Sequence, residues 1–70
     1  MNDLTSIQKR VYYIIKDFIE QKGYSPSFRE IAALHGTTSP ATIQFHLKHL
    51  RDKGYISYID NKSRTLTILK

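Results

Sequence analysis

The seventy residues predict a mostly α-helical fold with one small β-hairpin. Three features carry that expectation. Apolar residues recur at three- and four-residue steps in three successive stretches, a Ser or Thr cap precedes each stretch and a glycine follows it, and two short β-branched and aromatic runs flank a polar turn near the C-terminal end. A chain of this length makes one small domain, here 1–70, which buries only roughly 60% of its unfolded surface and leaves little room for an enclosed catalytic cleft.

The first helix is expected over about 5–22. Thr5-Ser6-Ile7-Gln8 fits a capping box, in which the Thr5 hydroxyl accepts from the Gln8 amide and the Gln8 side chain reaches back. Ile7, Val11, Ile14, Ile15, Phe18 and Ile19 form a wide apolar stripe, with Tyr12 at the edge of the core and Tyr13 on the surface, and Gly23 ends the helix. Tyr24-Ser25-Pro26 is the loop that follows. The second helix, 28–35, opens on another capping box, Ser27-Phe28-Arg29-Glu30, and stops at Gly36. Ser39 caps the third, 40–53, and Pro40 takes its first position, where a missing amide hydrogen costs nothing. Ile43, Leu47 and Leu50 are its inner stripe, and Gly54 ends it. Strands at about 55–59 and 65–69, joined by Asp60-Asn61-Lys62-Ser63-Arg64, make a hairpin with Ile56, Leu66 and Ile68 facing inward. An isolated hairpin is marginal in water, so this one leans on the helices. Two helices across the tight turn Gly36-Thr37-Thr38-Ser39, followed by a hairpin, make a three-helix winged helix-turn-helix.

Composition narrows the function classes. Eleven Lys and Arg against 6 Asp and Glu give a net charge of +5, and no acid occurs between Glu30 and Asp52, a window that holds His35, His46, Lys48, His49 and Arg51. In so small a domain that balance favours a polyanionic partner. With 40% hydrophobic residues the chain is too apolar for a disordered tail. It has no Cys, which excludes disulfides, thiol catalysis and Cys-ligated zinc. No apolar run approaches the roughly 20 residues of a membrane span, and Met1-Asn2-Asp3-Leu4 lacks a secretion pattern, so a cytoplasmic address is expected. No carboxylate pair, nucleophile–base set or phosphate loop can be drawn, so neither an enzyme nor a small-molecule substrate is expected. His46 and His49 lack a third ligand, so no metal or cofactor is expected either. His46 reads instead as a packed, hydrogen-bonded side chain.

On a wheel advancing about 100° per residue, Leu47 and Leu50 fall within about 40° of Ile43, while Ala41, Phe45, Lys48 and Asp52 lie opposite. Thr42 and His49 flank one edge, Gln44 and Arg51 the other. In a helix-turn-helix the start of the second helix meets base edges in the major groove. Gln44 suits adenine, and Phe45 and Ala41 suit thymine methyls. Thr42 offers a hydroxyl and a methyl, and Lys48 reaches a guanine or a phosphate. Ser39, with the amides after it, faces the phosphate backbone. Ser27, Arg29, Asn61, Lys62, Ser63 and Arg64 are the expected phosphate and wing contacts.

The stretches Gly23-Tyr24-Ser25-Pro26-Ser27-Phe28-Arg29-Glu30-Ile31-Ala32, Ser39-Pro40-Ala41-Thr42-Ile43, His46-Leu47 and Lys53-Gly54-Tyr55-Ile56, together with Gly36 and Leu50, resemble the N-terminal DNA-binding domain of the LexA repressor family. The resemblance covers nearly the whole chain. It implies a winged helix-turn-helix, base reading by Ser39, Ala41, Thr42, Gln44 and Phe45, and wing contact near 62–64. It also implies a bacterial or phage origin and work at the nucleoid in the SOS response. The family often carries His, or Glu in one branch, where Gln44 stands, and seldom a large aromatic where Phe45 stands, which sets the expected operator apart from the usual family site. Its C-terminal autopeptidase domain, with a Ser-Lys dyad and an Ala-Gly cleavage site, is not within these residues. The expected function is sequence-specific binding of double-stranded DNA as a repressor, two copies on a palindromic operator, weakly associated or monomeric when free. A winged-helix module that binds protein through Phe45, and an accessory domain that binds DNA without sequence preference, are the alternatives.

Overall fold

The computed structural model describes residues 3–37 and 39–70. Met1, Asn2 and Thr38, the last a member of the expected turn between the second and third helices, lie outside the described residues. Helices α1 (Ser6–Lys22), α2 (Phe28–His35) and α3 (Pro40–Asp52) precede two strands, β1 (Ile56–Ser57) and β2 (Thr67–Ile68). The strands are antiparallel, with Ile56 opposite Ile68 and Ser57 opposite Thr67. Three helices and a small hairpin are the fold class the sequence predicts.

Local chemistry sets the helix ends. Thr5 Oγ1 accepts from the Gln8 amide at 3.1 Å and Gln8 Oε1 accepts from the Thr5 amide at 3.1 Å. At α2, Ser27 Oγ accepts from the Glu30 amide at 3.2 Å and Glu30 Oε1 accepts from the Ser27 amide at 2.8 Å. The third expected cap does not form: the Ser39 side chain makes no capping hydrogen bond. Its backbone, at φ −103° and ψ 107°, differs from the φ −69°, ψ 164° of Thr5 and the φ −80°, ψ 163° of Ser27, where both caps form. Gly36, at φ 90°, makes the left-handed turn between α2 and α3, where any side chain would be strained.

Val11, Ile15, Ile31, Ile43, Leu47, Leu50 and Ile56 are wholly buried, so all three helices and β1 meet in one core. Each such aliphatic chain contributes about 1.5–3 kcal/mol. Leu66 is buried and Ile68 half-buried, the inward face expected of the hairpin. Two side chains depart from the expected stripe. Ile7 is exposed, because Leu4, ahead of the helix, takes the core position and Gln8 is buried under the Lys53 ammonium, which donates to Gln8 Oε1 at 3.1 Å. Tyr12 lies within the core rather than at its edge, edge-on to Tyr55 at 5.9 Å, and its hydroxyl donates to the Lys70 carbonyl.

The strands are shorter than 55–59 and 65–69. The amide of Ile59, whose pairing with Thr65 would continue the ladder, donates instead to Thr65 Oγ1 at 2.9 Å, while the Leu66 amide, which in this register faces away from β1, donates to Ser25 Oγ at 3.0 Å. A side chain of the hairpin itself thus satisfies a backbone group that a longer ladder would have paired, and one from the α1–α2 loop satisfies an amide on the outer edge of the returning strand.

Candidate nucleic-acid interface

The helix-turn-helix places α3 with its inner stripe in the core and the opposite side in solvent. Ala41, Thr42, Gln44, Phe45 and Lys48 are all exposed, and Ser39 is half-exposed. An outward Phe at 60% exposure is the large apolar exception on this surface. Its ring is braced edge-on by His49 at 4.6 Å and by His46 at 5.5 Å, and His46 in turn lies 6.4 Å from His35. The outward Phe45 ring therefore sits on a row of imidazoles.

Between α3, the start of α2 and the hairpin turn lies a cleft of about 350 Å³ lined by Ser27, Phe28, Arg29, Gln44, Asn61, Lys62 and Ser63. A second hollow of about 460 Å³ continues along α3, lined by Phe28, Gln44, Lys48, Arg51, Tyr58, Asp60 and Asn61. The structure thus brings Gln44 together with five of the six expected phosphate and wing residues. Lys48 stands one turn further on. Ala41, Thr42 and Phe45 form a separate exposed ridge on α3, outside the cleft walls.

Arg64 is the residue not brought to the cleft. Its guanidinium pairs with Glu30 Oε1 at 2.7 Å, donates to the Ser25 carbonyl at 3.2 Å and lies 5.2 Å from the centre of the Tyr24 ring. Phe28, Arg51, Tyr58 and Asp60 also line these hollows, beyond the residues to which the sequence points. Only Arg51 carried a signal, because the helical wheel put it on the same edge as Gln44. Arg51 pairs with Asp60 at 3.0 Å and covers the Tyr58 ring at 4.2 Å, and Tyr58 meets Phe28 edge-on at 5.6 Å.

Electrostatics follow from these partners. Arg29, Lys48 and Lys62 are exposed cations on the cleft and hollow walls. The Ser27 amide, with help from Arg64, holds the Glu30 carboxyl below its ordinary range. Its bond to Asp60 raises the Arg51 pKa. Burial, then the charges of His35 and His49, lowers the pKa of His46, whose Nδ1 is buried without a hydrogen-bond partner among the described residues. The packing expected of His46 is present, but at that nitrogen the expected hydrogen bond is not. Among the described residues no group of three or more His, Cys, Asp or Glu could hold a metal ion, and no helix is long and apolar enough to cross a membrane.

A recognition-type helix with an exposed N-terminal ridge, a short helix packed behind it across a tight turn, and a hairpin on its flank define the winged helix-turn-helix class of DNA-binding domains. Within that class, residues 1–65 match the model of the LexA DNA binding domain family, and the chain belongs to that family. It is similar to the LexA repressor of Desulfatibacillum aliphaticivorans, at 44% identity over 70 residues, covering all of this chain and 34% of that protein. It is also similar to the LexA repressor of Staphylococcus aureus strain Mu3, at 41% identity over 69 residues, covering 99% of this chain and 33% of that protein. The chain spans about a third of the length of these curated relatives.

Proposed function

We propose that this chain recognises a specific sequence in double-stranded DNA and represses transcription by occupying it, two copies meeting two halves of a palindromic operator. Repression of this kind needs no chemistry, because a bound protein excludes polymerase from the promoter. The observation that carries the reading is the joint exposure of Ala41, Thr42, Gln44 and Phe45 at the start of α3, beside a cleft walled by Arg29 and Lys62. Gln44 can donate to and accept from adenine at once, Phe45 and Ala41 can meet thymine methyls, and Thr42 and Lys48 can contact base edges near them. The Ser39 hydroxyl is free of any capping bond and is available to a phosphate, as are Ser27, Arg29, Asn61, Lys62 and Ser63. Its two named relatives are LexA repressors, which supports the repressor role.

Selection of bound duplexes from a random pool, followed by sequencing, tests this. An enriched motif with two-fold symmetry is expected. Its affinity should fall with salt at a slope near −3 per copy, about 0.9 for each phosphate met by Arg29, Lys48 and Lys62. A pool that stays random, or binding that ignores salt, would overturn the reading in favour of a non-specific or a protein-binding module.

A further inference from the structure

The hairpin ladder is two residues long on each strand, too little to aim a turn. The backbone of that turn passes through the left-handed region twice, at Asn61 (φ 64°) and Arg64 (φ 57°). What flanks the tip, residues 61–63, is a pair of side-chain fasteners. On the outgoing leg, Tyr58 is held between Phe28 of α2 and Arg51 of α3, and Arg51 reaches on to Asp60. On the returning leg, Arg64 is held by Glu30 of α2, the Ser25 carbonyl and the Tyr24 ring, while the Leu66 amide is held by Ser25 Oγ.

We propose that Arg51 and Arg64 are positioning residues. The Arg51–Asp60 and Arg64–Glu30 pairs clamp the two sides of the turn so that Asn61, Lys62 and Ser63 face Gln44 across the cleft, and neither guanidinium serves as a phosphate contact. Arg64, expected from the sequence to touch DNA, acts instead from behind the wing. The proposal rests on the DNA-binding reading above and adds to it the means by which the wing is aimed.

The sign of one substitution separates the two roles. Glu30→Gln keeps the α2 capping box, since Gln serves at that position as Glu does, but removes the partner of Arg64. If Arg64 met phosphate, losing an acid beside it would tighten binding to every duplex. If Arg64 positions the wing, binding to the duplex recovered by selection weakens by about threefold to fivefold. Arg64→Lys keeps the charge, and with it any phosphate contact and its salt slope, but not the fork of donors that holds Glu30 and the Ser25 carbonyl, so a positioning role predicts weaker binding to the same duplex at an unchanged slope, and a phosphate contact predicts little change. Asp60→Asn tests the other pair in the same way and serves if Glu30→Gln does not fold.

A readout without DNA accompanies these: backbone amide relaxation at residues 61–63 in the free chain, where each variant should raise mobility on the ps–ns scale. Unchanged tip mobility, or binding equal to or tighter than that of the unsubstituted chain, would overturn the proposal. If the unsubstituted chain bound no duplex while tip mobility rose in the variants, the DNA-binding reading would fall and the clamp would stand.

Discussion

Tyr55, at the start of the hairpin, donates its hydroxyl proton to the Asp3 carboxylate at 2.5 Å, tying the residues ahead of α1 to the end of α3. The same carboxylate is drawn below its ordinary pKa of 3.8, chiefly by this bond, then by a backbone bond and by Lys53, against the opposing effect of burial. The folded pKa lies below the unfolded one, so the contribution to stability is complete above about pH 4 and is lost as pH falls through the folded value. Tyr55→Phe should therefore lower the unfolding midpoint at neutral pH. The gap between variant and parent should close in acid, as followed by circular dichroism against pH. A gap that persisted once Asp3 is protonated in both folded and unfolded chains would assign it to packing instead.

Gln44 stands where both the α3 ridge and the wing cleft can use it. Gln44→Ala should weaken binding to the selected duplex by about 1–3 kcal/mol and relax discrimination at one base pair. Fluorescence anisotropy with each single-base variant of the duplex measures both effects. An equal loss on random duplex would place Gln44 on the backbone.

Phe45 contributes little to the core at its exposure, so Phe45→Ala should change stability by no more than about 0.5 kcal/mol. Its effect belongs to the complex. Replacing thymine by uracil in the selected duplex removes the methyl groups. That change should weaken the parent chain and leave the alanine variant indifferent at the affected positions. A parent chain insensitive to uracil would put Phe45 against something other than a methyl.

His46 supplies the pH dependence near neutrality. Its folded pKa is lowered, first by burial, so the neutral form is favoured in the folded state. Its share of stability is complete above the ordinary value of 6.5 and declines as pH falls from there toward the folded pKa. Urea unfolding between about pH 5 and pH 8 should show a slope that His46→Gln reduces. An identical slope in the variant would take His46 out of the pH dependence.

What could be read from the sequence was what is local. The capping boxes Thr5–Gln8 and Ser27–Glu30 span three residues, and the inner stripe of α3 repeats every turn, so both were visible without a fold. The outward face of α3 followed from the same wheel. Contacts between distant parts were not visible. Glu30 reads as a cap and proves also to be the partner of Arg64. Ser25 reads as loop and proves to hold the amide of Leu66, 41 residues away. Arg64 reads as a free wing cation because nothing near it in the chain announces a carboxylate. Ser39 shows the limit of local reading, since its residue type allows a cap that the structure does not form.

The fastening of the hairpin by helix side chains, rather than by a long ladder, has an evolutionary consequence. Three residues at the tip could be exchanged, or one inserted, while Tyr58, Asp60 and Arg64 still kept their grips and the hydrophobic interior went undisturbed. On the proposed DNA-binding reading, a lineage could thereby drift to new target sites through its wing alone, with little risk to folding.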